Sequence, residues 1–457
     1  MIKPSQDLQS KPSAFHWRSF VAFLALLPCS FLFAEDATPD GRTTKSHHAE
    51  SKKVPIMGGI RFDCKPVEIE KIKKDMVQYF TELEFPASMI HMHRCDKGNS
   101  ICYTLNTHRN DTNTMDLTTR PELDILPEIL EYKRGDGKII KDAFTSKKEV
   151  LAALMQHGRE YVLSGPRCSV EVLRDHVGVR QNIAKWGKIS RLRWDFPEAW
   201  ELKNGKLVLE SKYAKMNPAV WGAMKDPLLP KGTAPHTAVE DAFIGSFSYS
   251  IGCTTAAKLV MVHGIMDYYR NVKKDKEMAD YLNKIAKRAP LSQPDRSNVI
   301  PGGYISRQYD VDTNNIIPGD WVYIKNTDKK SSERPGYEGT NTIYIGEGFF
   351  TKFYKNAPGS RHGSPYYLNE PREVDLDHKT QEVFNWRFYI HEDYKNNPKR
   401  TFLTHQEVED LRRSPDDRTK PGLFESSRRS YADLILPKNQ PKHNIRHGSK
   451  STVFIEH

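Results

Sequence analysis

The segment Ile251-Gly252-Cys253-Thr254-Thr255-Ala256-Ala257-Lys258-Leu259-Val260-Met261-Val262 holds the residue best placed to do chemistry. Gly252 breaks the preceding pattern, and the Thr254/Thr255 pair followed by an Ala/Leu/Val/Met run reads as a new helix with Cys253 in its first turn. A thiol there faces the unpaired N–H groups and the positive end of the helix dipole, which favour the reactive thiolate. The same N–H groups, that of Thr254 among them, can hold the oxyanion of a tetrahedral intermediate. The helix is apolar on most sides and therefore needs cover, which a sheet would provide.

A thiol nucleophile needs a base or an orienting group within hydrogen-bond reach. His263 lies ten residues further along the same helix, about 15 Å away at 1.5 Å rise per residue, and is expected to be packed or solvated. The partner is expected from the sheet. Asn314-Asn315-Ile316-Ile317-Pro318-Gly319-Asp320 reads as a turn, with Asp320 as its cap, that launches a strand over Trp321 to Lys325. A polar loop from Asn326 to Gly336 then leads to a second strand, Thr342 to Ile345, which closes at Gly346 ahead of a solvated turn residue, Glu347. Ile343 and Ile345 share one face of that strand, and Glu338, Thr340, Thr342 and Tyr344 share the other if the strand extends that far back. Glu338 is the best acid on this reading.

The N-terminus carries Lys3, Lys11 and Arg18 ahead of the apolar run Phe20 to Ala34, followed by Glu35 and Asp36. That is the layout of a secretory signal, and its ~15 apolar residues fall short of the ~20 a helix needs to span a bilayer. Cleavage near Ala34 would remove Cys29, three basic residues and one acidic one, taking the formal charge from +11 to +9. The remaining basic excess suits anionic envelope surfaces, while the absence of an aromatic-studded basic stripe argues against nucleic acid. Cys64, Cys95, Cys102, Cys168 and Cys253 are left, an odd number for an oxidising compartment. Cys95 and Cys102 bracket a turn that a local disulfide could close, with Cys64 and Cys168 as the second pair; ordinary buried thiols are the alternative. Cys253 is expected to stay free.

Along the chain we expect a signal peptide at 1–34, a disordered linker at 35–53, an α/β accessory region at 54–163 and a catalytic domain at 164–360. A helical extension at 361–396 and a flexible tail at 397–457 follow. Helical patterns run from Val67 to Glu84, Lys147 to His157, Cys168 to Trp186, His236 to Ser250 and Thr380 to Tyr394, and a strand from Lys206 to Tyr213.

Three blocks in register, Gly252-Cys253-Thr254-Thr255-Ala256-Ala257, Gly319-Asp320-Trp321-Val322-Tyr323-Ile324-Lys325-Asn326 and Tyr337-Glu338-Gly339-Thr340-Asn341-Thr342-Ile343-Tyr344-Ile345-Gly346-Glu347, resemble the spore-coat type of bacterial protein-glutamine gamma-glutamyltransferase. The strand Leu207 to Tyr213 also matches, and the resemblance covers Arg167 to Lys352. It implies an α+β fold, a papain-like or cell-wall-amidase-like core with a buried helix on an antiparallel sheet. It also implies attack of Cys253 on a glutamine side-chain amide, loss of ammonia and acyl transfer to a lysine amine, with protein substrates and no cofactor. Tyr337 and Asn341 would neighbour the substrate. The sequence departs from the family at three places: Thr340 stands at its catalytic glutamate, Gly252 at the glutamate before its cysteine, and Lys352 at its histidine. A carboxylate displaced by two residues, from Thr340 to Glu338, stays on the same strand face.

Two other classes compete. One is a different thiol amidase or peptidase of the cell wall, which would need a strand-borne histidine; the other is an envelope protein that kept the fold and lost catalysis, as Thr340 would suggest. No zinc, nucleotide or flavin motif is present: Cys95 and Cys102 lack companions at metal-ligand spacing, and Gly302-Gly303 reads as a turn.

Overall fold

The computed structural model describes residues 58–95, 100–133, 138–190, 193–195, 200–203, 206–209, 215–221, 232–286, 305–308, 315–325, 339–351, 353, 423–431 and 436. All belong to the unit Val54–His457. The expected signal peptide, linker, polar loop 326–336 and helix 380–394 lie outside the described residues, as do Tyr337, Glu338 and Lys352. Among the described residues no helix is long and apolar enough to cross a membrane.

In chain order the elements are β1 (Gly59–Asp63), α1 (Pro66–Glu82), β2 (Ile90–Cys95), β3 (Ser100–Leu105), β4 (Glu128–Lys133), β5 (Ile139–Phe144), α2 (Lys147–Met155), β6 (Glu160–Ser164) and α3 (Val170–Ile189). There follow β7 (Trp200–Lys203), β8 (Lys206–Leu209), α4 (Pro235–Ile244), α5 (Cys253–Asp267), α6 (Lys276–Ala286), β9 (Ile305–Gln308), β10 (Trp321–Lys325), β11 (Gly339–Gly346), β12 (Phe349–Phe350) and β13 (Leu423–Tyr431). The fold is α+β.

The N-terminal part is a four-stranded sheet in the order β2-β3-β1-β6, with β1 parallel to β6 and its other pairs antiparallel. Ile72, Met76, Tyr79 and Phe80 form the buried stripe of α1, spaced as one helical face requires. Two disulfides close this part, Cys64 with Cys168 and Cys95 with Cys102, as expected, and Cys253 is free.

The second part is a five-stranded sheet in the order β12-β11-β10-β13-β9, in which every pair is antiparallel. Helix α3 belongs to both cores: Val170, Leu173 and Val177 pack into the first, Val179, Ile183 and Trp186 into the second. It begins cleanly because the Ser169 side chain accepts from the Val172 amide. Close approach to α5 is made possible by Gly264, where a Cβ would sit 2.6 Å from the Ile183 Cα. Asn182 Nδ2 donates to Gly264 O at 2.8 Å and to Asp267 Oδ2 at 3.0 Å, and Trp186 Nε1 donates to Asp267 Oδ2 at 2.8 Å. These bonds fix α5 against α3.

Two expectations need correction. Part of the expected tail, Leu423–Tyr431, is β13, which lies inside the five-stranded sheet between β10 and β9. Its buried positions include Arg428 and Ser430, so hydrophobic periodicity could not reveal it. The helix expected over His236 to Ser250 stops at Ile244, because the chain from Tyr249 to Ile251 turns extended to pair with Asp195 and Lys215. Of the strand expected over Lys206 to Tyr213, Lys206–Leu209 is β8 and the remainder lies outside the described residues.

His263 is packed, as expected. Its ring lies 4.0 Å from that of Trp186 and 4.5 Å from that of Phe243, and neither ring nitrogen has a hydrogen-bond partner among the described residues. Burial, reinforced by Lys185 and opposed by Asp267, drives its pKa well below the ordinary 6.5. The native state therefore keeps His263 neutral where the unfolded chain takes up a proton, and stability is lost as pH falls below about 6.5. Urea titrations at several pH values should show a flatter acid limb in His263→Phe than in the wild type; identical limbs would refute this.

Candidate active site

The approach to α5 is clamped. Ser250 N donates to Lys215 O at 2.9 Å and Lys215 N to Ser250 O at 2.7 Å, while Ile251 N donates to Asp195 O at 3.0 Å. Gly252 is the N-cap of α5, and the first intrahelical bond runs from Ala256 N to Gly252 O at 2.9 Å. The amides of Cys253, Thr254 and Thr255 thus lie outside the helical ladder, in the turn where orphan N–H groups and the dipole's positive end favour an anion. Cys253 is half-buried against the second core and Thr254 is exposed, so the sulfur is at the edge of the solvent rather than sealed in. From Ala256 onward α5 is mostly buried.

Strand β11 supplies the neighbour. Asn341 Nδ2 donates to Cys253 Sγ at 3.5 Å and to Thr254 Oγ1 at 3.1 Å. On its other side Asn341 Oδ1 accepts from Trp321 Nε1 at 2.8 Å across the β10–β11 ladder. Trp321 is buried, and the guanidinium of Arg429, its register partner on β13, lies 4.3 Å from the centre of its ring.

Of the residues expected at the site, the structure brings together Cys253, Thr254 and Asn341. It does not bring Thr340 to the sulfur. The β10–β11 register is continuous from Gly339 to Ile343, so Asn341 shares a face with Ile343 and Ile345, the face toward α3 and α5, and Thr340 shares the other with Thr342 and Tyr344. Thr342 Oγ1 there donates to Thr351 O, and Tyr344 packs on Phe350. The expectation placed the catalytic side chains on the face opposite Ile343 and Ile345, whereas the helix meets the face those two residues share. Glu338 and Tyr337 lie outside the described residues.

Asp320 is a turn cap, as expected, and more than one. Its Oδ2 accepts from Ile317 N at 2.9 Å, while Arg159, Arg180 and Ser430 all bond its carboxylate in a fully buried cluster. Burial alone would raise its pKa, but Arg159 and Arg180 hold it well below the usual carboxylate range. Glu347 sits in the turn after β11 with φ 52°, its amide donating to Glu149 Oε1 at 2.6 Å. Sequence reasoning missed Trp321, Arg429 and the role of Asn341. The shared face of Asn341 and Ile343 was the signal available for the last of these.

Residues 141–361, just under half of the chain, match the family model of protein-glutamine gamma-glutamyltransferase. The match begins 23 residues before the start expected for the catalytic domain and includes most of β5 and all of α2. Among solved structures, the chain is similar to a transglutaminase from Geobacillus stearothermophilus without its C-terminal extension, at 16% identity over 57% of this chain and 93% of that one, with a TM-score of 0.30. No curated protein matches. Residues 141–361 thus resemble the protein-glutamine gamma-glutamyltransferases, and that match indicates an acyltransferase enzyme.

Proposed function

We propose that the protein is an exported protein-glutamine gamma-glutamyltransferase with a papain-like core, in which Cys253 attacks a glutamine side-chain amide and passes the acyl group to a lysine amine. The observation that carries this reading is the free, half-buried Cys253 at the first turn of a buried helix, inside the residues that match the family. Export is supported by the charged and apolar layout of residues 1–34 and by the two disulfides of the N-terminal part. The basic excess suits association with anionic envelope surfaces. A fluorescent primary amine should be incorporated into a glutamine-bearing protein such as casein. Its complete absence, with donor glutamine neither deamidated nor crosslinked, would overturn the proposal.

Glu338 is our choice for the group that moves the thiol proton, on sequence grounds alone: it is the carboxylate nearest the family's glutamate position, and because it precedes Gly339, the first residue of β11, the facing of Thr340 does not carry over to it. Glu338→Gln should cut amine incorporation by ~10²- to 10⁴-fold, the usual loss for a general acid/base group. Thr340→Val should change it by no more than a few-fold, since Thr340 faces away from the sulfur. The reverse pattern would remove Glu338 from the mechanism.

Thr340 in place of that glutamate favours a second reading, a protein that has lost catalysis. Iodoacetamide labelling mapped by mass spectrometry separates the two: rapid, selective alkylation of Cys253 belongs to the enzyme, and sluggish labelling to the relic.

A further inference from the structure

The chemistry of an indole settles which way the Asn341 side chain is turned. Indole N–H can only donate, so the atom 2.8 Å from Trp321 Nε1 must be the amide oxygen. The NH₂ end is then the one that faces Cys253 Sγ at 3.5 Å and Thr254 Oγ1 at 3.1 Å. A donor so turned has its hydrogens directed at the mouth of the helix's first turn, where the amides of that turn are also unpaired within the helix.

We infer that Asn341 is the side-chain donor of the oxyanion site, and that Trp321, braced by Arg429 from beyond the family-matched residues, is the positioning residue that keeps it turned to donate. This inference rests on Cys253 being the acyl nucleophile. In the first half-reaction the sulfur bonds to the glutamine carbonyl carbon and the C=O electron pair moves onto oxygen. That oxygen is two bonds from a sulfur that already lies within hydrogen-bond range of Nδ2. Collapse restores the carbonyl and breaks the C–N bond; the thiol proton leaves on the nitrogen as ammonia, and a thioester remains. Attack by a lysine amine rebuilds the oxyanion, and its collapse forms the new amide and returns one amine proton to sulfur. The same donor serves both intermediates, in a site where preorganised hydrogen bonds act on charge that exists only near the transition state.

The brace explains a feature of the sequence that the nucleophile alone does not. Arg429 lies 68 residues beyond the end of the family match, yet β13 sets it opposite Trp321, with its guanidinium over the indole. With the ring held on that side and its N–H committed to Oδ1, a flipped Asn341 would turn its NH₂ group toward the indole N–H and its oxygen toward the sulfur. Both contacts would be lost.

The test uses the full chain, a glutamine-bearing casein, a fluorescent amine, and iodoacetamide as a probe of the thiol that builds no oxyanion. Asn341→Leu should lower kcat by ~10²- to 10³-fold, the range for losing one oxyanion donor. KM for casein and the rate of Cys253 alkylation should stay within a few-fold of wild type. Asn341→Ala, which adds no bulk, should show the same pattern if the leucine variant does not fold. Trp321→Phe, which keeps the ring and removes the N–H, should lower kcat about tenfold in the wild-type background. In the Asn341→Leu background it should have no further effect, the non-additivity expected of two residues acting through one contact. Near wild-type kcat in both Asn341 variants, a matching loss of alkylation, or an equal cost of Trp321→Phe in both backgrounds would overturn the inference while leaving Cys253 as nucleophile. Undiminished turnover in Cys253→Ala would instead overturn the reading on which it rests, and the inference with it.

Discussion

Cys253→Ala is expected to abolish amine incorporation, leaving no turnover above background. The sulfur is the one atom of the mechanism that forms and breaks a covalent bond with the acyl group, and no hydroxyl or amide beside it can replace it: Thr254 offers a hydroxyl without an activating partner, and Asn341 is turned to donate. The loss should not come from unfolding. Cys253 is half-buried at N1 of its helix, alanine is the best helix former, and the neighbouring packing rests on Ala256, Ala257, Leu259 and Val260. A thermal midpoint close to the wild type is therefore expected beside zero activity. Activity reduced only several-fold would place the nucleophile elsewhere.

The largest effect on stability is expected from Asp320→Ala. The carboxylate is fully buried and bonds Arg159 Nη1 at 2.5 Å, Arg180 Nη1 at 2.9 Å and the Ser430 hydroxyl at 2.5 Å. Arg159 precedes β6, Arg180 is in α3 and Ser430 in β13, so this one group joins the N-terminal sheet, the shared helix and the catalytic sheet. Its removal strands two buried guanidinium groups, at a cost of ~3–5 kcal/mol. The pH dependence follows from the lowered pKa. Above the unfolded value of about 3.9 the ion pairs contribute fully, and the contribution is lost as pH falls below it toward the native value. Urea unfolding should show a large drop in midpoint for Asp320→Ala at neutral pH, with the difference from wild type shrinking in strong acid. A midpoint equal to wild type at neutral pH would show that the cluster does not hold the sheets together.

Local signals in the sequence were enough for the nucleophile and its sheet. A glycine, two threonines and an apolar run define the start of α5, alternation defines β10 and β11, and the odd cysteine count leaves Cys253 free. Which face of β11 meets the helix is a different kind of fact. Period-two alternation pairs Thr340 with Thr342 and Asn341 with Ile343, but only the packing of α3 and α5 decides which set looks at the sulfur. Expecting polar catalytic groups on the polar face gave Thr340 a catalytic role and left Asn341 as a neighbour of the substrate rather than of the sulfur. Strand β13 was hidden for a related reason: its Arg428 and Ser430 are buried, and Ser430 is satisfied by Asp320, 110 residues away, so the segment carries no hydrophobic pattern to read. The Asp320 cluster is likewise assembled from three distant elements, and a turn cap is all that its immediate neighbours reveal.

The central claim is an acyl group carried on Cys253, and its most direct test is to catch that group. The protein is mixed with a short glutamine-containing peptide in the absence of an acceptor amine, quenched in acid within seconds, and digested and mapped at low pH by mass spectrometry. The expected result is that the peptide containing Cys253 gains the mass of the donor peptide less ammonia, that the adduct is cleaved by hydroxylamine, and that it disappears when a primary amine is added before the quench. Conversion of the donor with Cys253 unmodified throughout, or an adduct on another residue that the amine discharges, would contradict it.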